Sequence, residues 1–129
     1  MALTGKRIVI TGGAGILGQG VARAAQSQGA DVVLLDVVPG TTELVGNLIQ
    51  VDLADSASLH SCFTQIGDFD VLANIAGGFA MGPAVYETED ELWDAMFNLN
   101  VTTLRRVLNE AVPRLLAKGS GSVINVGAM

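Results

Sequence analysis

A glycine-rich stretch near the amino terminus constrains the fold of this chain more than any other feature. Residues 10–20 read ITGGAGILGQG and lie between an apolar run that predicts a strand and a pattern of helical period. Gly13, Gly15 and Gly18 have the spacing GxGxxG. In this spacing the first glycine allows a tight turn, the second lets a pyrophosphate approach the backbone, and the third lets helix and strand pack closely. The stretch therefore predicts a βαβ unit with a dinucleotide site.

The rest of the chain alternates short β-branched runs with longer stretches of helical period, which is typical of an α/β protein. Five strands are predicted, at residues 6–11, 31–36, 47–52, 70–75 and 122–127. Three helices are predicted: residues 15–28 ending at Gly29, a helix capped by Asp55 and ending at Gly67, and residues 89–118 with a bend at Pro113. Right-handed crossovers give a doubly wound parallel sheet, a Rossmann fold with strand order 3-2-1-4-5.

The composition fits a single domain, residues 1–129, that binds a small molecule. Half of the residues are hydrophobic and 16% are charged, as expected for a sheet covered on both faces. A net charge of -6 without a basic cluster argues against nucleic acid and anionic membrane surfaces as partners. We expect no signal peptide or spanning segment, because the apolar run near the amino terminus is short and is broken by glycine. The lone Cys62, expected in a helix core, cannot form an internal disulfide and is compatible with a reducing compartment. We therefore expect a cytoplasmic protein.

Asp36 closes the second predicted strand and predicts the choice of cofactor. It lies 18 residues after Gly18, close to the roughly 20 residues at which a ribose-binding carboxylate is expected. An acid there hydrogen-bonds the hydroxyls of the adenosine ribose and repels a 2'-phosphate. The next residues, Val37, Val38 and Pro39, include no arginine that would reverse this preference. We therefore expect NAD in preference to NADP.

The motifs TGGAGILG, DVVLLD, VDLAD, NIAGG and WDAMFNLNV follow one another in this order. Together they resemble the short-chain dehydrogenase/reductase family over essentially the whole chain. The resemblance implies transfer of a hydride between NAD and a carbonyl or alcohol substrate. It implies a cofactor site that comprises Gly12, Gly13, Gly15, Ile16, Leu17, Gly18, Asp36, Asp52, Leu53, Asn74, Ala76 and Gly77. For Asn74, a purely structural tie between strands is as well supported as contact with the ligand.

The resemblance also defines the expected catalytic residues, and several are missing. Asn100 matches the family's catalytic asparagine, which is expected to hold a water of the proton relay, although Asn98 lies two residues away and helix-surface polarity is an alternative. Ala128 occupies the place of the usual serine and cannot donate a hydrogen bond. The Tyr-x-x-x-Lys pair is absent, because Tyr86 is the only tyrosine and is followed four places on by Asp90. The chain alone is therefore expected to be catalytically incompetent.

Three further expectations concern the extent of the chain and its relatives. We expect an incomplete domain that stops after strand five, which leaves that strand as a bare edge and exposes Trp93, Phe97, Leu104 and Leu108. The helix over residues 89–118 is then expected to form a homo-oligomer or to be covered by a missing segment. Ile16 gives the glycine loop the spacing TGxxGxxG of the family's extended, sugar-nucleotide-modifying branch. An epimerase or dehydratase of sugar nucleotides therefore stays open as an alternative. Because the catalytic pair is absent, a module that only binds nucleotides is a second alternative.

Overall fold

The computed structural model describes residues 1–40 and 43–127. Its centre is a parallel sheet in which the strands follow the order β3-β2-β1-β4-β5. The predicted order and all five predicted strands are confirmed. Their bounds are β1 Arg7–Thr11, β2 Asp31–Asp36, β3 Asn47–Gln50, β4 Val71–Asn74 and β5 Ser122–Asn125.

The first two helices begin and end where their local sequence predicts. Helix α1 spans Ile16–Ser27 and helix α2 spans Ser56–Ile66. Asp55 caps α2, because its carboxylate accepts the backbone N–H groups of Ala57 at 3.0 Å and Ser58 at 3.2 Å. Gly29 and Gly67 follow the two helices with φ angles of 92° and 70°, which L side chains rarely adopt. Both predicted stops are therefore confirmed.

The single helix predicted over residues 89–118 is wrong in one respect, because a wide π-helical turn divides it. Helix α3 spans Asp90–Phe97, the π turn spans Asn98–Thr102, and helix α4 spans Thr103–Lys118 with Pro113 inside it. In the π turn, Asn100 Nδ2 donates to Met96 O at 3.0 Å and Thr103 Oγ1 donates to Leu99 O at 2.7 Å. Side chains that compete with the backbone for helix carbonyls disturb the regular ladder. The apolar period alone does not reveal such a turn.

Apolar residues on successive strand positions pack on opposite faces of the sheet. In β1, Ile8 and Ile10 belong to a buried cluster with α1, whereas Val9 belongs to a second cluster with α2 and α4. Cys62 lies buried in the second cluster, as predicted, and burial raises the pKa of its thiol to about 11. The thiol is therefore protonated at neutral pH and is a core group, not a nucleophile.

One side of the sheet is uncovered within the described residues. Strand β5 pairs only with β4, and its side chains are exposed. Trp93 is 62% exposed and Phe97 is 51% exposed, as expected. Leu104 and Leu108 are half-buried, so their predicted exposure is wrong; Leu108 packs against the cluster of α2 and α4. No helix in the described ranges is long and apolar enough to cross a membrane.

Asp70 joins four elements at the amino ends of the strands. Its Oδ2 accepts from Arg7 N at 2.9 Å, its backbone carbonyl accepts from Ser122 N at 3.0 Å, and its Oδ1 pairs with Lys118 Nζ at the end of α4. The hydrogen bond from Lys118 and the backbone hydrogen bond from Arg7 hold the pKa of Asp70 below its usual range. The ionised carboxylate is therefore the form that stabilises the fold.

We predict that Asp70→Asn lowers the free energy of unfolding in a pH-dependent way. Because the pKa of Asp70 is lowered in the folded state, its contribution is fully present above its unfolded pKa, about 3.9. That contribution is lost as pH falls through the lower, folded pKa. The difference between wild type and variant in urea unfolding should thus shrink between about pH 5 and pH 2. Asp68→Asn, which removes an exposed carboxylate two residues away, is the control; an equal loss in both variants would contradict the role of Asp70.

Candidate functional site

A crevice of about 610 Å³ lies at the carboxyl ends of β1 and β4, where the strand order reverses. Open α/β sheets bind ligands at this switch point. Most of the predicted cofactor residues line the crevice: Gly12, Gly15, Ile16, Leu17, Gly18, Asp36, Asp52, Leu53, Ala76 and Gly77. Gly13, Asn74 and Asn100 are not among the residues that line it.

The tight turn after β1 depends on Gly12, which corrects the role predicted for Gly13. Gly12 has a φ of 65°, and its N–H donates to Leu35 O at 2.8 Å. Gly13 is instead packed against β2, because a Cβ built on it would come within 2.7 Å of the Leu34 side chain. The glycine at position 13 is therefore required by a close approach and not by a left-handed backbone. The motif spacing alone does not separate these two reasons.

The amino end of α1 borders the crevice and leaves its first N–H groups without a helical partner. The N-cap is Gly15, which has no side chain that could cap the helix. The first N–H bonded within the helix is that of Gln19, which donates to Gly15 O at 2.9 Å. The N–H groups of Ile16, Leu17 and Gly18 therefore have no partner within the helix. Gly18 packs so closely on the turn that an added Cβ would lie 2.2 Å from Gly12 O.

Asp36 closes β2 beside this turn, and its carboxylate is oriented by two backbone groups. Oδ2 accepts the N–H of Ala14 at 3.0 Å and Oδ1 accepts the N–H of Val37 at 2.8 Å. Each carboxylate oxygen can accept more than one hydrogen bond, so Asp36 keeps acceptor capacity toward the crevice. Asp52 and Leu53 line the same crevice after β3, where Asp52 Oδ1 accepts the N–H of Ala54 at 2.9 Å.

The end of β4 is held by polar side chains below the crevice. The buried Thr11 Oγ1 accepts the N–H groups of Ile75 and Ala76, both at 3.1 Å. Asn74 is buried beside them, and its Nδ2 donates to Asn125 Oδ1 at 2.9 Å, which ties β4 to β5. Among the described residues its Oδ1 has no hydrogen-bond partner. The bond from Nδ2 supports the structural tie, whereas the unpartnered Oδ1 leaves contact with a ligand open as a prediction.

Asn100 lies in the π turn and clamps the segment that follows β4. Its Oδ1 accepts the N–H of Gly78 and its Nδ2 donates to Gly78 O, both at 2.9 Å. With the further bond to Met96 O, Nδ2 donates both of its hydrogens to the backbone, while Oδ1 accepts one bond and keeps acceptor capacity. A polar residue of the same turn that does line the crevice is Asn98. The predicted role of Asn100 in holding a water of the proton relay stays a prediction.

The described residues bear on the other catalytic expectations only at Tyr86. Ala128 lies outside the described residues. Tyr86 is 85% exposed in a short 3-10 turn, Val85–Glu87, ahead of α3. Over residues 1–40 and 43–127, no three His, Cys, Asp or Glu side chains gather in a way that could hold a metal ion.

Three polar residues at the site were missed by sequence reasoning, namely Thr11, Gln19 and Asn98. Gln19 is buried on α1, where its amide bonds the backbone of Gly13 and of Val45. The only sequence signal for Gln19 is a polar residue on the stripe that otherwise contains Gly18, Ala22 and Ala25. The sequence signal for Thr11 is likewise a single polar residue, at the end of the apolar strand β1. Both signals are weak, because their partners are distant in the sequence.

The parallel sheet, the order 3-2-1-4-5 and the glycine turn at the switch point define an α/β protein of the Rossmann type. The chain belongs to the short chain dehydrogenase family, whose sequence model matches residues 6–129. It is 32% identical to D-xylose 1-dehydrogenase of Caulobacter vibrioides, over 99% of this chain and 55% of that protein. It is 30% identical to 2,3-dihydro-2,3-dihydroxybenzoate dehydrogenase of Bacillus subtilis, over 98% of this chain and 53% of that protein.

A solved structure, NADH-dependent reductase A1-R' complexed with NAD, superimposes with a TM-score of 0.85 at 28% identity. The superposition covers 98% of this chain and 61% of that one. The chain thus spans about half the length of the curated relatives it matches.

Gly18→Ala is predicted to destabilise the glycine turn, and Gly20→Ala is its matched control on the same helix. The added methyl at position 18 would meet the backbone of Gly12 and Gly13, which cannot yield as a flexible side chain does. Overpacking of this kind costs about 1–3 kcal/mol. A Cβ at Gly20 meets nothing within 4 Å, so alanine there should stabilise the helix by about 0.5–1 kcal/mol. Urea unfolding measures both, and equal effects would contradict the close packing.

Proposed function

We propose that this chain is the NAD-binding part of a short-chain dehydrogenase/reductase that transfers a hydride between NAD and a carbonyl or alcohol. The observation that carries the proposal is the uncapped amino end of α1 beside the oriented carboxylate of Asp36, both on one crevice. A similar protein, reductase A1-R', is described as complexed with NAD, which supports the same ligand here. Residues 1–129 would form one domain for this purpose.

The pyrophosphate would be held by the glycine turn. The N–H groups of Ile16, Leu17 and Gly18 have no helical partner, and the positive end of the helix dipole favours an anion at this point. Gly15 leaves space there, because a Cβ built on it has only Gly12 O nearby, at 3.4 Å. The donors and the space that a diphosphate needs are therefore supplied by main chain and not by basic side chains.

The adenosine ribose would be selected by Asp36. Its carboxylate can accept hydrogen bonds from the ribose hydroxyls and repels the 2'-phosphate of NADP. The described residues that follow it, 37–40, carry no positive charge. The walls that continue from it, with Val37, Asp52 and Leu53, would hold the adenine. NAD is therefore preferred to NADP in this proposal.

The opposite end of the crevice would receive the nicotinamide and the substrate. It is formed by the segment after β4 and by the π turn, with Ile75, Ala76, Gly77, Asn98 and Leu99. NAD supplies or accepts the hydride when bound. The clamp between Asn100 and Gly78 fixes the distance between these two segments. Asn98 is a polar residue among those that line the crevice.

The proton that accompanies the hydride needs a tuned donor, and this chain does not supply the family's Tyr-x-x-x-Lys pair. Taken alone, the chain is therefore proposed to bind the cofactor without turning over a substrate, which keeps a nucleotide-binding module as the second function. The exposed Trp93 and Phe97 support an oligomer through residues 89–118, which stays a prediction.

Calorimetry with NAD and NADP tests the cofactor proposal. Wild type should bind NAD more tightly than NADP. Asp36→Asn should weaken NAD binding by roughly ten- to a hundredfold, because a hydrogen bond to a charged group contributes about 1.5–3 kcal/mol. The affinity for NADP should fall less, because the variant no longer repels the 2'-phosphate. Asp68→Asn makes the same charge change away from the crevice and should leave both affinities unchanged. Equal affinity of wild type for NAD and NADP would refute the role of Asp36.

A reductase assay tests the second part of the proposal. With NADH and a panel of aldehydes and ketones, we expect no turnover by the 129-residue chain, because no positioned proton donor is available. Binding of NADH measured on the same sample by fluorescence shows that the chain is folded and loaded. Turnover that persists through purification controls would disprove the argument from the absent tyrosine and lysine.

A further inference from the structure

The side-chain amide of Gln19 is buried beneath the glycine turn, and each of its polar atoms has a backbone partner. Nε2 donates to Gly13 O at 2.8 Å and to Val45 O at 3.2 Å, and Oε1 accepts the N–H of Val45 at 2.9 Å. A buried amide is costly unless it is satisfied, and this one is fully satisfied. The same stripe of α1 is otherwise packed with glycine and alanine, so an amide is not needed to fill space.

The peptide unit between Gly13 and Ala14 connects Gln19 to Asp36. The carbonyl at one end of this unit accepts from Gln19, and the N–H at its other end donates to Asp36 Oδ2 at 3.0 Å. A trans peptide is planar, so its carbonyl and its N–H turn together. The bond to Gln19 therefore restrains the direction in which the Ala14 N–H points. That N–H in turn restrains the carboxylate of Asp36.

We propose that Gln19 is a positioning residue for cofactor selection, which holds the Asp36 carboxylate in place through the Gly13–Ala14 peptide and anchors the β2–β3 connection at Val45. This inference rests on the proposed role of Asp36 in binding NAD. Gln19 itself does not line the crevice, so its effect reaches the ligand only through the peptide. The affected quantity is the preference for an unphosphorylated ribose.

Gln19→Met tests the inference, because methionine has a similar length and no hydrogen-bonding amide. Gln26→Met is the matched control, since Gln26 is an exposed glutamine on the same helix. The measurement is the ratio of the dissociation constants for NADP and NAD, at a temperature at which all variants are fully folded. A merely structural loss would change the melting temperature, or both constants equally, and would leave this ratio unchanged.

We expect the ratio to fall by about fivefold in Gln19→Met, the effect of one ordinary hydrogen bond, and to stay unchanged in Gln26→Met. The N–H of Ala14 should also exchange with solvent faster in Gln19→Met, which is measured without any ligand. Gln19→Leu is the second variant: it removes the donor to Gly13 O and introduces no charge. It should show the same fall even if Gln19→Met does not fold.

Two negative outcomes are distinguishable. If wild type prefers NAD but both position 19 variants keep the wild-type ratio and the wild-type exchange of Ala14, the role of Gln19 is refuted and the proposed function stands. If wild type binds neither nucleotide, or binds both equally, the proposed function fails and the inference fails with it.

Discussion

The contact between the glycine turn and the end of β2 is the constraint on which the rest of the site depends. Leu35 O accepts the N–H groups of Gly12 and Gly13, at 2.8 and 3.3 Å, and Asp36 Oδ2 accepts the next N–H, that of Ala14. Three successive amides are thereby directed at one strand end. Because these donors are used inside the protein, the N–H groups that stay open belong to the first turn of α1. The same contact thus fixes where an anion can bind and where the acidic side chain lies.

The fold could be predicted from the sequence because its signals are local. A parallel strand buried on both faces is apolar at every position, and β1 shows why, with Ile8 and Ile10 on one face and Val9 on the other. Asp55 and the glycines at positions 29 and 67 mark helix ends through contacts within a few residues. The order 3-2-1-4-5 is the usual one for such a doubly wound sheet with right-handed crossovers, and the structure has it.

The parts that could not be predicted depend on contacts between segments far apart in the chain. The π turn in residues 98–102 goes with bonds from Asn100 to Gly78, 22 residues earlier, and no helical periodicity contains that information. The turn role predicted for Gly13 belongs to Gly12, and Gly13 is instead approached by Leu34 on another strand. Gln19 is held by Val45, 26 residues later, and no local pattern contains that contact. Sequence patterns therefore located the site but did not assign the roles of the individual residues in it.

Backbone groups carry most of this site, and that explains how the fold is kept while sequences diverge. The open donors at α1 are amides, Thr11 binds the amides of Ile75 and Ala76, and Asn100 and Gln19 bind the backbone of Gly78 and Val45. The side chains of the partner segments take no part in these bonds, which depend on the few clamping residues. A TM-score of 0.85 at 28% identity is what such an arrangement permits. It follows that substitutions at the clamps should matter more for the cofactor than substitutions of the apolar walls, which need only remain apolar.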